Sequence, residues 1–440
     1  MIRIAFKTTG CKVNQADGEA VRRALADLPV AFVGADQPAD VLVVNACAVT
    51  RGAERDGRVY LHRGTRQGAS VVLAGCLASR IARDGGDDLL PDGVHVIPGT
   101  GDRAALVAAL RADVLRRSAT GTATADSASL AAPEPEPNPA PATRARPLVK
   151  VQDGCDCRCT YCIVPLLRGP SRSVPVDDVV SAVLAAAATG CAEIVLAGVD
   201  LAAWGRDRDG AALPDLLARL RSLGTGTRFR LSSVEPHGLT DGLLDALAAG
   251  PDVAPHLHVP LQSGSDRILR AMGRPYAARD LGERLQAFAR DLPDLAVGLD
   301  VIVGFPGETD ADFDDTRAFV ASLPVAYLHV FPFSPRPGTA AADLPDAPAH
   351  EVTAARARVL RDLSDARRAD HAMALVGRTV EVVDIGARPG AVVESLAGDY
   401  TRVFRHDPAG PRAGRFPLCI ALAQDAHAWS GPSSQPSESP

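Results

Sequence analysis

The chain has 440 residues, enough for two or three domains, and 46% of them are hydrophobic, an ordinary value for a globular protein. A formal charge of −6 excludes a global basic field, so any nucleic-acid site must be a local basic patch. Nine cysteines in a chain of this length do not read as a secreted disulfide scaffold, and neither an N-terminal signal nor an apolar run of about twenty residues is visible, so a cytoplasmic enzyme without a membrane span is expected.

Residues 2–8 read as a first strand, Thr9-Gly10-Cys11 as a turn and 15–27 as a helix. Strand-like runs follow at 29–33, 41–45, 71–74 and 94–97 with helical stretches between them, which predicts an open parallel α/β domain over 1–115. Cys11, Cys47 and Cys76 each follow one of these strands. The carboxyl ends of strands in such sheets lie along one edge, where ligands bind, so three cysteines far apart in sequence converge there as a three-thiolate cluster site. Residues 116–146 are mostly Ala, Pro, Ser, Thr and Glu and are expected to form a disordered linker.

From Pro147 strand-like segments recur at 147–152, 193–198, 228–233, 256–260, 297–304 and 326–333. A helix is predicted over 177–188, where Val179, Val180, Val183, Leu184 and Ala187 make one apolar face. The pattern predicts a (β/α)6-type partial barrel over 147–372, with its active site on the loops after the strands. The first of those loops carries Cys155, Cys159 and Cys162 in a C-x3-C-x2-C frame. Three thiolates on a short loop hold three irons of a cubane cluster, and the iron left without a protein ligand is free to bind something else. Cys157 falls outside this frame and is expected to be unligated; Cys191 and Cys419 read as core packing. Short strands with Gly-rich turns over 373–427 predict a small β-barrel, and 428–440 a disordered tail.

Several motifs stand in one order along the chain. They are Thr9-Gly10-Cys11-Lys12-Val13-Asn14-Gln15, Asn45-Ala46-Cys47-Ala48-Val49-Thr50 and Ala74-Gly75-Cys76, then Lys150–Cys155, Cys159–Pro165 and Arg168–Ser173. His258–Ser265, Asp300–Thr309 and His329–Thr339 complete the set. In these motifs the chain resembles the radical S-adenosylmethionine (SAM) methylthiotransferases, and 373–427 resembles their small TRAM β-barrel through Leu396–Val403. The resemblance implies two [4Fe-4S] clusters. Cys155, Cys159 and Cys162 would hold the one whose open iron binds SAM and yields a 5′-deoxyadenosyl radical. Cys11, Cys47 and Cys76 would hold an auxiliary cluster carrying the sulfur, and a second SAM would donate the methyl group.

The SAM pocket is then expected at the strand ends, from Gly198, Asp200, Glu235, Gln262, Ser263 and Gly304, with His237 and His258 as rim or core histidines. Arg168, Arg172, Arg336, Arg402 and Arg405, with Arg412 and Arg415, are candidates for phosphate contacts. Among the branches of the family, the Gly10–Gln15 and Arg168–Ser173 segments are most similar to the one acting on tRNA N6-threonylcarbamoyladenosine. Others act on isopentenyl-type adenosine or on an aspartate of a small-subunit ribosomal protein. The implied partners are a tRNA anticodon stem-loop and a flavodoxin- or ferredoxin-type reductant, with no membrane. A non-catalytic electron carrier or RNA-binding module is disfavoured, since a carrier has no use for open irons.

Overall fold

The structure is a computed structural model and describes residues 1–85, 90–100, 103–120, 145–208, 210–424 and 427–430. β1 (Ile2–Thr8), β2 (Val30–Val33), β3 (Val41–Asn45), β4 (Ser70–Ala74) and β5 (His95–Val96) form one parallel sheet in the order β2-β1-β3-β4-β5. The central strand β3 is Val-Leu-Val-Val-Asn and is buried throughout, as a strand covered on both faces must be. Four helices cover the sheet: α1 (Lys12–Arg23), α2 (Arg51–Arg66), α3 (Gly75–Asp84) and α4 (Ala104–Thr120). Ile4, Val43 and Val72 pack with Val21 and Leu110 on one face, Leu42, Val44 and Leu73 with Leu61 and Leu77 on the other.

Two boundaries differ from expectation. The first helix begins at Lys12, because Val13 and Ala16 are buried, and it ends at Arg23. Leu25, Ala26 and Leu28 then turn through i→i+3 bonds. α4 runs to Thr120, so the first residues of the expected linker are helical, while 121–144 lies outside the described residues.

β6 (Leu148–Lys150) continues through β7 (Gln152–Asp153), whose antiparallel partner β8 (Arg172–Ser173) lies on the far side of the cysteine loop. α5 (Val164–Arg168) sits within that loop, and α6 (Val176–Ala187) follows it. β9 (Glu193–Ala197) and β10 (Arg228–Leu231) join β6 in one parallel sheet, and β11 (His256–Gln262), β12 (Ala296–Val303) and β13 (Tyr327–Pro332) make a second. A bridge between Ser233 and His258 connects the two into a partial barrel. Val149, Ile194, Leu196, Phe229, Leu257, Val297 and Leu299 face outward under the helices. The alternate residues therefore face the lumen. Among these, Leu148 and Val195 pack on Ala16, so α1 lies against the inner face of the barrel.

The lumen is polar at its base. Glu193 is buried and meets Arg146 at 3.1 Å, Arg228 at 2.7 Å and Arg230 at 2.7 Å. Burial opposes its charge, but these guanidinia hold the Glu193 carboxyl down at about 2. Arg230 also donates to the Ala397 and Gly398 carbonyls at 3.0 and 2.9 Å, which fixes the last sheet beneath the barrel.

That sheet comprises β14 (Thr379–Arg388), β15 (Val392–Ala397), β16 (Arg402–His406), β17 (Arg415–Cys419), β18 (Leu422–Gln424) and β19 (His427–Ser430). It curls about Val382, Ala397, Val403, Ile420 and Ala428 as a half-barrel, consistent with a TRAM-like unit. Of the tail expected over 428–440, residues 428–430 are a strand and 431–440 lie outside the described residues. β19 runs to Ser430 beside β16, because Ala428 fills the core and Trp429 packs 5.3 Å from the Phe404 ring. Cys419, expected in a core, is exposed on the outer strand β17, whereas Cys191 packs against the barrel core. Among the described residues no helix is long and apolar enough to cross a membrane.

Candidate active site

The loop carrying Cys155, Cys159 and Cys162 is held from both ends. Gln152 donates to the Asp153 and Gly154 carbonyls and accepts from the Asp200 N–H at 2.9 Å. Gly154 has φ +71, and a Cβ there would run into the Pro170 carbonyl, so only glycine lets the two strands of the loop approach. At the other end the Thr160 N–H donates to the Met272 carbonyl at 3.0 Å and its hydroxyl to Ala271 at 2.9 Å. Those residues close α9 (Asp266–Ala271) and lead into Arg274. Arg274 donates to Cys159 Sγ at 3.2 Å and pairs with Glu235. No sequence pattern singled out Arg274, a lone arginine in a Gly-Arg-Pro turn.

Burial pushes the Cys162 thiol up to about 12 and raises that of Cys159, where Arg274 opposes the rise. A site that penalises free thiolates in this way favours a cationic centre among them, which fits an iron cluster. Cys157 lies beside that set: its N–H donates to Cys155 Sγ at 3.4 Å, its thiol faces Asp200 at 3.9 Å, and the two sulfurs and an Asp200 oxygen lie within 4.8 Å of one another. A separate hydrogen bond between its own thiol and the Cys155 side chain, then burial, raises the Cys157 thiol well above the usual range. Because Cys157 falls outside the C-x3-C-x2-C frame, Cys157→Ala is expected to retain wild-type iron per chain and SAM cleavage. Iron assay checks this, and an iron loss equal to that of Cys155→Ala would place Cys157 among the ligands.

Cys11, Cys47 and Cys76 stand at the carboxyl ends of β1, β3 and β4. Gly10 has φ +96, and a Cβ on it would come within 2.8 Å of Cys47 Sγ. Burial, then the charges of Cys76 and Cys11, push the Cys47 thiol up to about 12. Burial also raises Cys76, against the pull of Arg168. Two buried thiols beside a third cysteine suit a soft cation. Arg168 closes α5 in the second cysteine loop yet reaches this first set. It donates to Asp17 Oδ2 at 3.2 Å, Asn14 Oδ1 at 3.4 Å and Asp153 Oδ1 at 2.8 Å. One buried guanidinium thus ties α1, which follows Cys11, to Asp153, which precedes Cys155.

A cavity of about 340 Å³ opens beside the second loop, lined by Cys157, Glu235, His237, Arg274, Tyr276 and Arg284, among others. That is within the usual size of small-ligand sites, about 300–1,000 Å³. Glu235, expected in the SAM pocket, lies on the cavity wall and is paired with Arg274. Asp200 ends the β9 loop with a buried Oδ1 that makes no hydrogen bond among the described residues, His237 Nε2 being 3.6 Å away. An orphaned acceptor there fits a cationic ligand.

Gly198 donates to Ser232 Oγ at 3.2 Å, and a Cβ on it would press to 3.1 Å from Gln152. Gln262 holds φ +70 at the end of β11, a strained conformation at a strand terminus. Ser263 is turned into a buried bond with Thr316 at 3.1 Å, and Gly304 carries φ +74 against Thr353. These last two have packing roles in the structure.

Three of the expected RNA-contacting arginines are corrected. Arg168, Arg336 and Arg405 are buried. Arg336 pairs with Glu54 at 2.8 Å and so ties the loop after β13 to α2, and Arg405 pairs with Asp384 and Ser395 inside the C-terminal sheet. A buried guanidinium with its donors satisfied has none to offer a phosphate. Arg172 and Arg402 remain exposed, the latter 3.2 Å from Glu394.

Residues 149–320 match the Radical SAM superfamily, and residues 3–87 match a family described as Uncharacterized protein family UPF0004. The chain is 32% identical over 373 residues to the threonylcarbamoyladenosine tRNA methylthiotransferase MtaB of Aquifex aeolicus, covering 83% of this chain and 89% of that one. It is 35% identical to the ribosomal protein uS12 methylthiotransferase RimO of Synechococcus sp. strain CC9605, covering 86% and 82%. It is 33% identical to the tRNA-2-methylthio-N(6)-dimethylallyladenosine synthase of Tropheryma whipplei, covering 88% and 83%. With these matches spanning both cysteine groups, the chain belongs to the radical SAM methylthiotransferases, transferases that use S-adenosylmethionine and [4Fe-4S] clusters.

Proposed function

We propose that the chain adds a methylthio group to carbon 2 of N6-threonylcarbamoyladenosine beside a tRNA anticodon. The observation that supports the reaction is Arg168, whose buried guanidinium ties the segment after Cys11 to the segment before Cys155. The substrate reading draws on the similarity to threonylcarbamoyladenosine tRNA methylthiotransferases of Aquifex aeolicus and of Bacillus subtilis, the latter 32% identical over 91% of this chain.

In this reading Cys155, Cys159 and Cys162 hold the SAM-binding cluster and Cys11, Cys47 and Cys76 the auxiliary one. When bound, these groups supply the one-electron chemistry, the sulfur and the methyl group. The protein's own part is placement. Arg274 orients Cys159 and Glu235, and residues 271–274 clamp the loop and exclude water. Asp200 offers its free carboxylate oxygen to the positive end of SAM. Exposed Arg172 and Arg402 meet RNA phosphates. An external flavodoxin- or ferredoxin-type protein supplies electrons.

Mass spectrometry of tRNA nucleosides from a strain lacking the protein tests the substrate. The expected result is loss of the 2-methylthio form of N6-threonylcarbamoyladenosine with accumulation of its precursor. An unchanged level would refute the reading. Loss of methylthio-isopentenyladenosine, or of a methylthio-aspartate in a ribosomal protein, would reassign the substrate.

A further inference from the structure

Lys12 immediately follows Cys11 and opens α1, the helix that lies against the inner face of the barrel. Its ammonium points toward the lumen base, 6.0 Å from the centroid of the Tyr400 ring. Tyr400 in turn stacks on His256 at 4.6 Å and lies 6.0 Å from Tyr327. Among the described residues no carboxylate lies within ion-pairing distance of Lys12 and no acceptor takes its protons.

The surrounding charges are already committed. Glu193, whose charge acts on Lys12, is shared by Arg146, Arg228 and Arg230. Asp300 on β12 is held by His258 at 2.7 Å and His329 at 3.4 Å. Asp399 faces His371 at 2.9 Å. The remaining nearby group, Arg368 of α12 (His350–Ala374), lies over the Tyr327 ring at 4.4 Å and is itself a cation. Lys12 thus points into a lumen with a cationic surplus.

The lumen is also accessible. β13 and β6 do not pair, which leaves that edge of the barrel open. On the inner face of β13, the His329 side chain is 45% exposed and Phe331 is 40% exposed.

We propose that Lys12 binds the free carboxylate of an N6-aminoacyl-carbamoyl substituent and so selects an acidic modified adenosine over an apolar one. The proposal rests on the threonylcarbamoyl reading above and names the residue that enforces it. A half-buried ammonium without a counter-ion is one half of an ion pair, and the threonyl carboxylate supplies the other. An isopentenyl group in the same place covers the ammonium and leaves it unpaired, and sites built around an unmet polar group reject such analogues strongly. The spacing suits the task. The Cα atoms of Cys11 and Lys12 are about 3.8 Å apart. A base presented to the Cys11 site therefore places its N6 substituent within the sweep of the lysine chain.

The test uses the full-length protein and two anticodon stem-loops, one carrying the threonylcarbamoyl acid and one its methyl ester. Fluorescence anisotropy reads affinity and nucleoside analysis reads product. Wild type is expected to bind the acid about tenfold or more tighter than the ester, as for a charge-assisted hydrogen bond. Lys12→Met is expected to bind the two equally, and Lys12→Arg to restore part of the preference. Iron per chain and melting temperature report the integrity of each variant, and the wild-type comparison needs no variant at all. Equal wild-type affinity for acid and ester, with the acid still methylthiolated, would overturn the role of Lys12 and leave the substrate reading standing. So would a Lys12→Met protein that keeps the preference. Turnover of an isopentenyl stem-loop with none of the acid would instead overturn the substrate reading itself.

Discussion

Replacing Cys159 with alanine is expected to abolish reductive SAM cleavage, whereas replacing Cys47 is expected to leave cleavage running and eliminate methylthiolation. The asymmetry follows from where the two residues sit. Cys159 is on the loop beside the small-ligand cavity and receives a hydrogen bond from Arg274, whose other arm holds Glu235 on the cavity wall. Cys47 is buried at the end of β3, beside Gly10 and within reach of the charges of Cys76 and Cys11. With one thiolate gone, a three-cysteine site loses its hold on a cubane cluster, so each variant should retain roughly half of the wild-type iron. Two readouts separate the sites: 5′-deoxyadenosine by chromatography and methylthio-nucleoside by mass spectrometry. Normal product from Cys47→Ala would remove Cys47 from the sulfur-delivering set. Cleavage by Cys159→Ala would break the C-x3-C-x2-C frame.

Both cysteine groups were legible in the sequence because each sits where a strand ends, and strands declare themselves through short apolar runs such as Val41–Asn45 and Ser70–Ala74. The spacing of Cys155, Cys159 and Cys162 is local and needs no fold to be recognised. What stayed hidden depends on partners remote along the chain. Arg168, Arg336 and Arg405 looked like RNA contacts because nothing in their neighbourhoods predicts Asp17, Glu54 or Asp384 as partners.

Arg274 is a similar case, since its contact with Cys159 spans 115 residues. The placement of α1 inside the barrel was equally invisible. Its apolar face accounts for packing on its own sheet, and Ala16 gives no sign that it touches Leu148 and Val195. In the sequence Lys12 is one residue of the Thr9–Gln15 motif, and its lack of a counter-ion depends on the lumen that remote strands build around it.

Arg168→Met is expected to destabilise the protein by about 3–5 kcal/mol, the range for removing one partner of a buried ion pair. The guanidinium side chain is only 1% exposed and binds Asp17 at 3.2 Å and Asp153 at 2.8 Å. Methionine fills similar volume but leaves both carboxylates buried without that fork. Lys150 compensates incompletely. It lies 3.1 Å from Asp17 and 2.9 Å from Asp153, but burial holds its ammonium down to about 8, so its charge is less secure than that of arginine. Arg168→Lys should fall between wild type and Arg168→Met, because a point charge replaces a planar fork.

Denaturant unfolding measures the loss, with Arg172→Met as the exposed control, expected within about 0.5 kcal/mol of wild type. Asp17 also pairs with Arg103 and Lys150, so the double variant Arg168→Met/Asp17→Asn should recover little of the loss. A cost below about 1 kcal/mol would mean that the guanidinium behaves as an ordinary surface pair. The two cysteine groups would then need some other contact to keep them in register.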